Sequence, residues 1–156
     1  MKKLFFCLLC SFAGLLNAYS QSGMTSEEMK FRNGIEQFLK EEGYSPTIDN
    51  SDNSLNFKKG EEFYWLTVDG DRPYYIQFHI DGYTFKKKKR KLILEACNYA
   101  KLEKRCGKAW VKDDEVGFTI EFYCISIEGF KHSFIYNIRA LTSVKKAVLE
   151  YYSEHK

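Results

Sequence analysis

The sequence predicts an α+β fold: one antiparallel sheet with helices on one face, its elements in the order α-βββ-α-ββ-α. Three observations predict it. Apolar residues recur at helical spacing, switch to every second position, and repeat that change once more before a last helical stretch. The period-two runs are bounded by turn residues, and the helical runs carry start and stop signals of their own.

The first helix is expected to begin near Thr25, which stands three residues before Glu28 in the spacing of a capping box. Phe31, Ile35, Phe38 and Leu39 fall on one face, and Gly43 suits a left-handed stop. Three strands follow in "SLNFKK", "EFYWLTV" and "PYYIQFHI", with "KKGE" and "DGDR" as hairpin turns. In the second strand Tyr64, Leu66 and Val68 oppose Phe63, Trp65 and Thr67. In the third, Tyr74, Ile76, Phe78 and Ile80 oppose Tyr75, Gln77 and His79. The more aliphatic set is expected to face the helices.

The stretch "TFKKKKRKLILEA" leads into the central helix, expected from about Lys87 to Cys106 with Gly107 as its stop. Ile93, Ala96, Cys97 and Ala100 recur at helical spacing behind six consecutive bases, Lys86, Lys87, Lys88, Lys89, Arg90 and Lys91. Positive charge at a helix start opposes the backbone dipole by about 0.3–1 kcal/mol. Two more strands are expected in "KAWVK" and "EVGFTIEFYCISI", with "DD" at their turn. Val116, Phe118, Ile120, Phe122 and Cys124 alternate with Gly117, Thr119, Glu121, Tyr123 and Ile125, the half-buried pattern of a sheet covered on one side. A helix from about Lys131 to Ser153 closes the chain, with Phe134, Ile138, Leu141, Val144, Val148 and Tyr151 as its buried stripe.

This order, with "ILEACNYAKLEKRCGKAWVKDDEVGFTIEFY" joining the central helix to the second hairpin, resembles the YbjN-type family and the wider class of type III secretion chaperone-like α+β domains. The resemblance spans roughly Ser26 to Ser153. It rests on Asn98 in the central helix, Lys108 at a strand start and the acidic turn before a long hydrophobic strand. It implies a binding or regulatory module without known catalytic residues, so it carries over no active site. An export signal sets this chain apart from the cytoplasmic chaperones.

That signal is read in "MKKLFFCLLCSFAGLLNAYSQ": Lys2 and Lys3, an apolar run from Leu4 to Leu16, then small residues at Ala18 and Ser20. Residues 1–20 are expected to be a secretory signal peptide cleaved near Ser20/Gln21, leaving residues 21–156 as a single domain in the periplasm or secreted. The apolar run is shorter than the ~20 residues a membrane-spanning helix needs, and no transmembrane segment is expected in the mature chain. Cys10 lies inside the run and follows Leu9, a poor context for lipid attachment. Cleavage removes Lys2 and Lys3 from 24 bases set against 21 acids, leaving a balance of +1. A nucleic-acid binder carries a basic face over a whole domain, so nucleic acid is not the expected partner and the basic run reads as a solvated helix start. Cys97, Cys106 and Cys124 survive cleavage, an odd number that makes no disulfide framework. Cys97 and Cys124 both point toward the expected core, where they are close enough in prospect to touch.

Chemistry-bearing motifs are scarce. His79, His132 and His155 are far apart, and none stands in a metal-binding spacing. His132 and Ser133 are neighbours without an orienting third group, and Asp113, Asp114 and Glu115 read as hairpin carboxylates. No metal, no cofactor and no enzymatic activity are expected. The aromatic surplus says more. If the helices cover the aliphatic face, the other face carries Phe63, Trp65, Tyr75, Trp110 and Tyr123 among Thr67, Gln77, His79, Thr119 and Glu121. Exposed apolar patches mark interfaces, and Trp and Tyr dominate binding hot spots. The expected function is therefore a chaperone-like module binding protein or peptide through this face, a second copy of the chain included among the partners. Two alternatives stand beside it: a polyanion or envelope-surface binder working through Lys86–Lys91, and a hydrolase without a recognised motif.

Overall fold

The computed structural model describes residues 23–156; the expected signal peptide and its cleavage point lie outside them. The elements are α1 (Ser26–Glu41), β1 (Thr47–Ile48), β2 (Leu55–Lys59), β3 (Glu62–Asp69), β4 (Tyr74–Thr84), α2 (Arg90–Glu103), β5 (Lys108–Lys112), β6 (Glu115–Cys124) and α3 (Ile127–His155), with a 3₁₀ turn at Lys87–Lys89 before α2. The strands form one antiparallel sheet in the order β1-β2-β3-β4-β6-β5. The α+β class is as the sequence predicts.

Thr25 and Glu28 make the capping box. The Thr25 hydroxyl accepts from the Glu28 N–H at 3.2 Å, and the Glu28 carboxylate accepts from the Thr25 N–H at 2.5 Å. Its second oxygen accepts from the Gly70 N–H at 2.6 Å and so ties α1 to the β3–β4 turn. Burial raises the Glu28 pKa, but these donors outweigh it and leave the carboxyl below its ordinary range.

Among the described residues, α1, α2 and α3 lie on one face, with the long α3 between α1 and α2. The aliphatic set is the buried one: Tyr64, Leu66 and Val68 of β3, Ile76, Phe78 and Ile80 of β4, and Val116, Phe118 and Ile120 of β6. Ile35, Leu39, Ile93, Leu141 and Val148 meet them from the helices. Each such side chain contributes about 1.5–3 kcal/mol by leaving water.

Five local expectations are corrected. A short edge strand, β1, precedes the three foreseen, because the chain after Gly43 turns back and pairs Thr47 and Ile48 with Asn56 and Leu55. α2 ends at Glu103, so Cys106 is outside it, and Gly107 serves close packing: a Cβ there would stand 2.7 Å from Val144 Cγ2. α3 starts at Ile127, four residues before the expected Lys131, because the Ser126 hydroxyl caps it by accepting from the Gly129 N–H at 3.1 Å. β4 runs past Ile80 to Thr84 through a bulge at Asp81 and Gly82, after which Tyr83 pairs with Val116. Finally, Cys97 and Cys124 do not meet. Cys97 sits beside Tyr83 at the Val116 end of β6, while Cys124 ends that strand roughly 26 Å away, eight residues at about 3.3 Å each. Both thiols are buried and free.

Two measurements test this arrangement. A Cβ on Gly82 would run into the Val116 carbonyl oxygen, so Gly82→Ala is expected to cost about 2 kcal/mol or more in denaturant unfolding, by breaking the bulge. Native-state alkylation should modify the exposed Cys106 first and leave Cys97 and Cys124 protected. Fast labelling of Cys124 would contradict its place beneath α3.

Candidate functional site

Among the described residues no helix lies on the second face of the sheet, and register places Phe63, Trp65, Tyr75, Trp110 and Tyr123 there. Trp65 stands opposite His79, which stands opposite Thr119, which stands opposite Lys108. One row along, Trp110 faces Gly117. Toward the other end Thr67, Gln77 and Glu121 share a row, and beyond them Asp69, Tyr75 and Tyr123 share the next.

The five aromatic residues form two groups. In the first, Trp110 lies across Gly117, where a Cβ would run into the indole ring. The glycine is what lets this ring lie flat on the sheet. Laid flat, it donates from Nε1 to Thr119 Oγ1 at 2.9 Å, and the same hydroxyl is 2.8 Å from His79 Nδ1. His79 in turn stacks on Trp65, with centroids 4.8 Å apart and planes within 3°, and Phe63 packs beside Trp65 at 6.4 Å. Thr119, 3% exposed, is thus a buried bracket joining β5 to β4 under two indoles. The second group is Tyr75 with Tyr123, centroids 5.4 Å apart, Tyr123 being 71% exposed and followed by the exposed Ile125.

A polar strip separates the groups. Lys108 donates to Glu121 in an ion pair across β5 and β6. Hydrogen bonding from Lys108, then from Tyr75, holds the Glu121 carboxyl below its ordinary range, and the bond to Glu121 raises the Tyr75 phenol. Burial lowers the His79 pKa, and the Glu121 charge offsets part of that. Sequence alternation placed His79 and Thr119 on this face as polar filler. Their work of fixing the indoles went unread, because it depends on register; a lone Gly117 in a strand facing a Trp was the available signal.

The basic run lies elsewhere. Lys86 precedes the 3₁₀ turn and Arg90 opens α2, as the loop-into-helix reading holds. Lys86, Lys88 and Lys89 line a cavity of about 430 Å³ with Tyr83, Phe85 and Tyr152. A second cavity, of about 740 Å³, opens between α1, the β3–β4 turn and the start of α3; stacked Phe31 and Tyr74 floor it, and Glu27, Lys30, Asp71 and Arg72 rim it.

Ser133 Oγ donates to the Phe130 carbonyl and accepts from Asn137, so it has no part in a pair with His132. Asp113 takes up a positive φ of 52° in the β5–β6 turn, where its carbonyl accepts from Arg90. Burial pushes the Cys97 thiol up to about 11, far from the range of a reactive thiolate. Among the described residues no three of His, Cys, Asp and Glu gather as a metal site, and no helix is long and apolar enough to cross a membrane. No protein-family model matches the chain, and no curated protein matches it in sequence.

The lowered His79 pKa has a measurable consequence. The unfolded chain, with a His pKa of about 6.5, takes up a proton more readily than the folded one, so stability is present above that value and is lost as pH falls from it toward the folded pKa. Thermal or denaturant midpoints should therefore fall between pH 7 and pH values just below 6.5, and His79→Gln should remove that part of the slope. An unchanged slope in the variant would show that His79 is not the group responsible. The Glu121 contribution is separate and is lost only in the carboxylate range, as pH falls below about 4.5.

Proposed function

We propose that this chain is a non-catalytic, chaperone-like module that binds protein or peptide through the uncovered face of its sheet. One observation carries the reading: Phe63, Trp65, Tyr75, Trp110 and Tyr123 share that face, and the two tryptophans are held by Thr119 and His79 before any partner arrives. Rings already fixed lose little rotamer freedom on binding, so more of their burial is available as affinity. Polar groups among them, Gln77 and the Lys108–Glu121 pair, supply the donors and acceptors that an interface rim uses. The resemblance to YbjN-type domains supports a binding role, and the N-terminal pattern supports work outside the cytoplasm.

Affinity capture from an envelope extract, followed by calorimetric titration with the recovered partner, tests the reading. Trp65→Ala and Trp110→Ala should each lose about 2 kcal/mol or more of binding, the usual size of a hot-spot truncation. Tyr123→Ala gives a third variant, at an exposed ring that packs only beside Tyr75 among the aromatic residues. Replacing Lys87, Lys88 and Lys89 with Gln should leave this affinity intact, and added salt should change it little. Loss in the Gln variant with retention in the Trp variants would give the partner to the basic run instead.

A further inference from the structure

The run from Lys86 to Lys91 carries more positive charge than the fold neutralises. Lys91 reaches Glu95 only at 3.9 Å, and Arg90 is engaged with the Asp113 carbonyl. Lys86, Lys87, Lys88 and Lys89 form no ion pair among the described residues. The backbone adds to the same field. Neither Lys86, which caps the 3₁₀ turn, nor Lys89, which caps α2, makes a side-chain capping bond, and neither first turn contains an acid. The Lys89 and Arg90 N–H groups bond back to the Lys86 and Lys87 carbonyls, and no side-chain acceptor stands where most helices place an Asp, Ser or Thr.

This charge is gathered on a concavity. Lys86, Lys88 and Lys89 border the cavity of about 430 Å³, and its lining contains no carboxylate. Tyr83, Thr84, Phe85 and Tyr152 supply the remaining wall, so the cavity brings lysine and aromatic side chains together. The Tyr83 hydroxyl is buried in that wall without a hydrogen-bond partner, a group that a buried site ordinarily satisfies. A solvated helix start needs none of these features together.

We propose that this cavity is a binding site for a small organic phosphate or sulfate monoester joined to a flat ring. A tetrahedral ester anion presents three acceptor oxygens, which matches three lysines bordering one cavity better than a single carboxylate does. Its ring meets Tyr83, Phe85 and Tyr152. The volume lies inside the range of small-molecule pockets, about 300–1,000 Å³. This site is separate from the aromatic face of the sheet, and its occupation does not depend on what that face binds.

The test uses phenyl phosphate, inorganic phosphate and phenol as probes, titrated calorimetrically or by amide shifts into the protein at physiological ionic strength. Phenyl phosphate should bind saturably, one per chain, and roughly tenfold or more tighter than either other probe, since each of those lacks one half of the recognition. Replacing Lys86, Lys88 and Lys89 together with Gln should weaken it at least tenfold while the thermal midpoint stays level or rises; Trp65→Ala and Trp110→Ala should leave it unchanged. The proposal is overturned if phenyl phosphate shows no saturable binding, or if the Gln variant binds it as the parent does. Inorganic phosphate binding as tightly as phenyl phosphate would also overturn it, by removing the ring from the ligand.

Discussion

Phe134 of α3 has the rings of Phe38, Tyr44, Phe57, Phe78 and Phe130 around it, with centroids between 5.2 and 6.1 Å away. Those rings come from α1, from the loop after it, from β2 and β4, and from α3 itself. Edge-on to Phe38 and stacked on Phe78, Phe134 fixes the distance and tilt at which the helical layer meets the sheet. Because side chains alternate strictly along a strand, seating one face against this cluster obliges the other to point away from it. The uncovered aromatic face is the consequence of where Phe134 packs.

A face left open by that constraint would be costly if its rings were loose. Here it is built as a second, thinner layer. Trp110 lies on Gly117, the indole N–H is spent on Thr119, and His79 is held between that hydroxyl and Trp65. The Trp110 indole N–H, the Thr119 hydroxyl and His79 Nδ1 all have partners within this layer, which is what a buried network requires to stabilise. The Lys108–Glu121 pair crosses the same strands in solvent, where such pairs contribute little alone and mainly set spacing. Charge and aromatic surface are thereby segregated: the lysine run gathers where β4 leaves the sheet and α2 begins, away from Tyr75 and Tyr123 at the opposite end of β4.

Elements whose determinants are local were legible. The α1 capping box, the turns at Gly60 and Gly70 with φ of 63° and 76°, and the alternation of β3, β4 and β6 all follow from residues within a few positions of one another. The site residues were legible as a set for the same reason, since alternation alone assigns Phe63, Trp65, Tyr75 and Tyr123 to one face once the aliphatic face is buried. Misreadings arose where a distant partner decides. α3 begins at Ile127 rather than near Lys131, and the packing of Phe130 against Phe38 and Phe122 holds that added turn.

The sequence by itself determined the class of fold, the face each strand residue takes and the placement of the basic run at a helix start, because periodicity, capping and turn chemistry act over a few residues. Only the tertiary structure decided the strand order β4-β6-β5, the bulge at Gly82, the distance between Cys97 and Cys124, the Thr119 bracket beneath the indoles and the cavity behind Lys86. Each of these depends on register between segments tens of residues apart. Register is set by how side chains interlock in three dimensions, and a one-residue slip changes every neighbour while leaving the local pattern untouched.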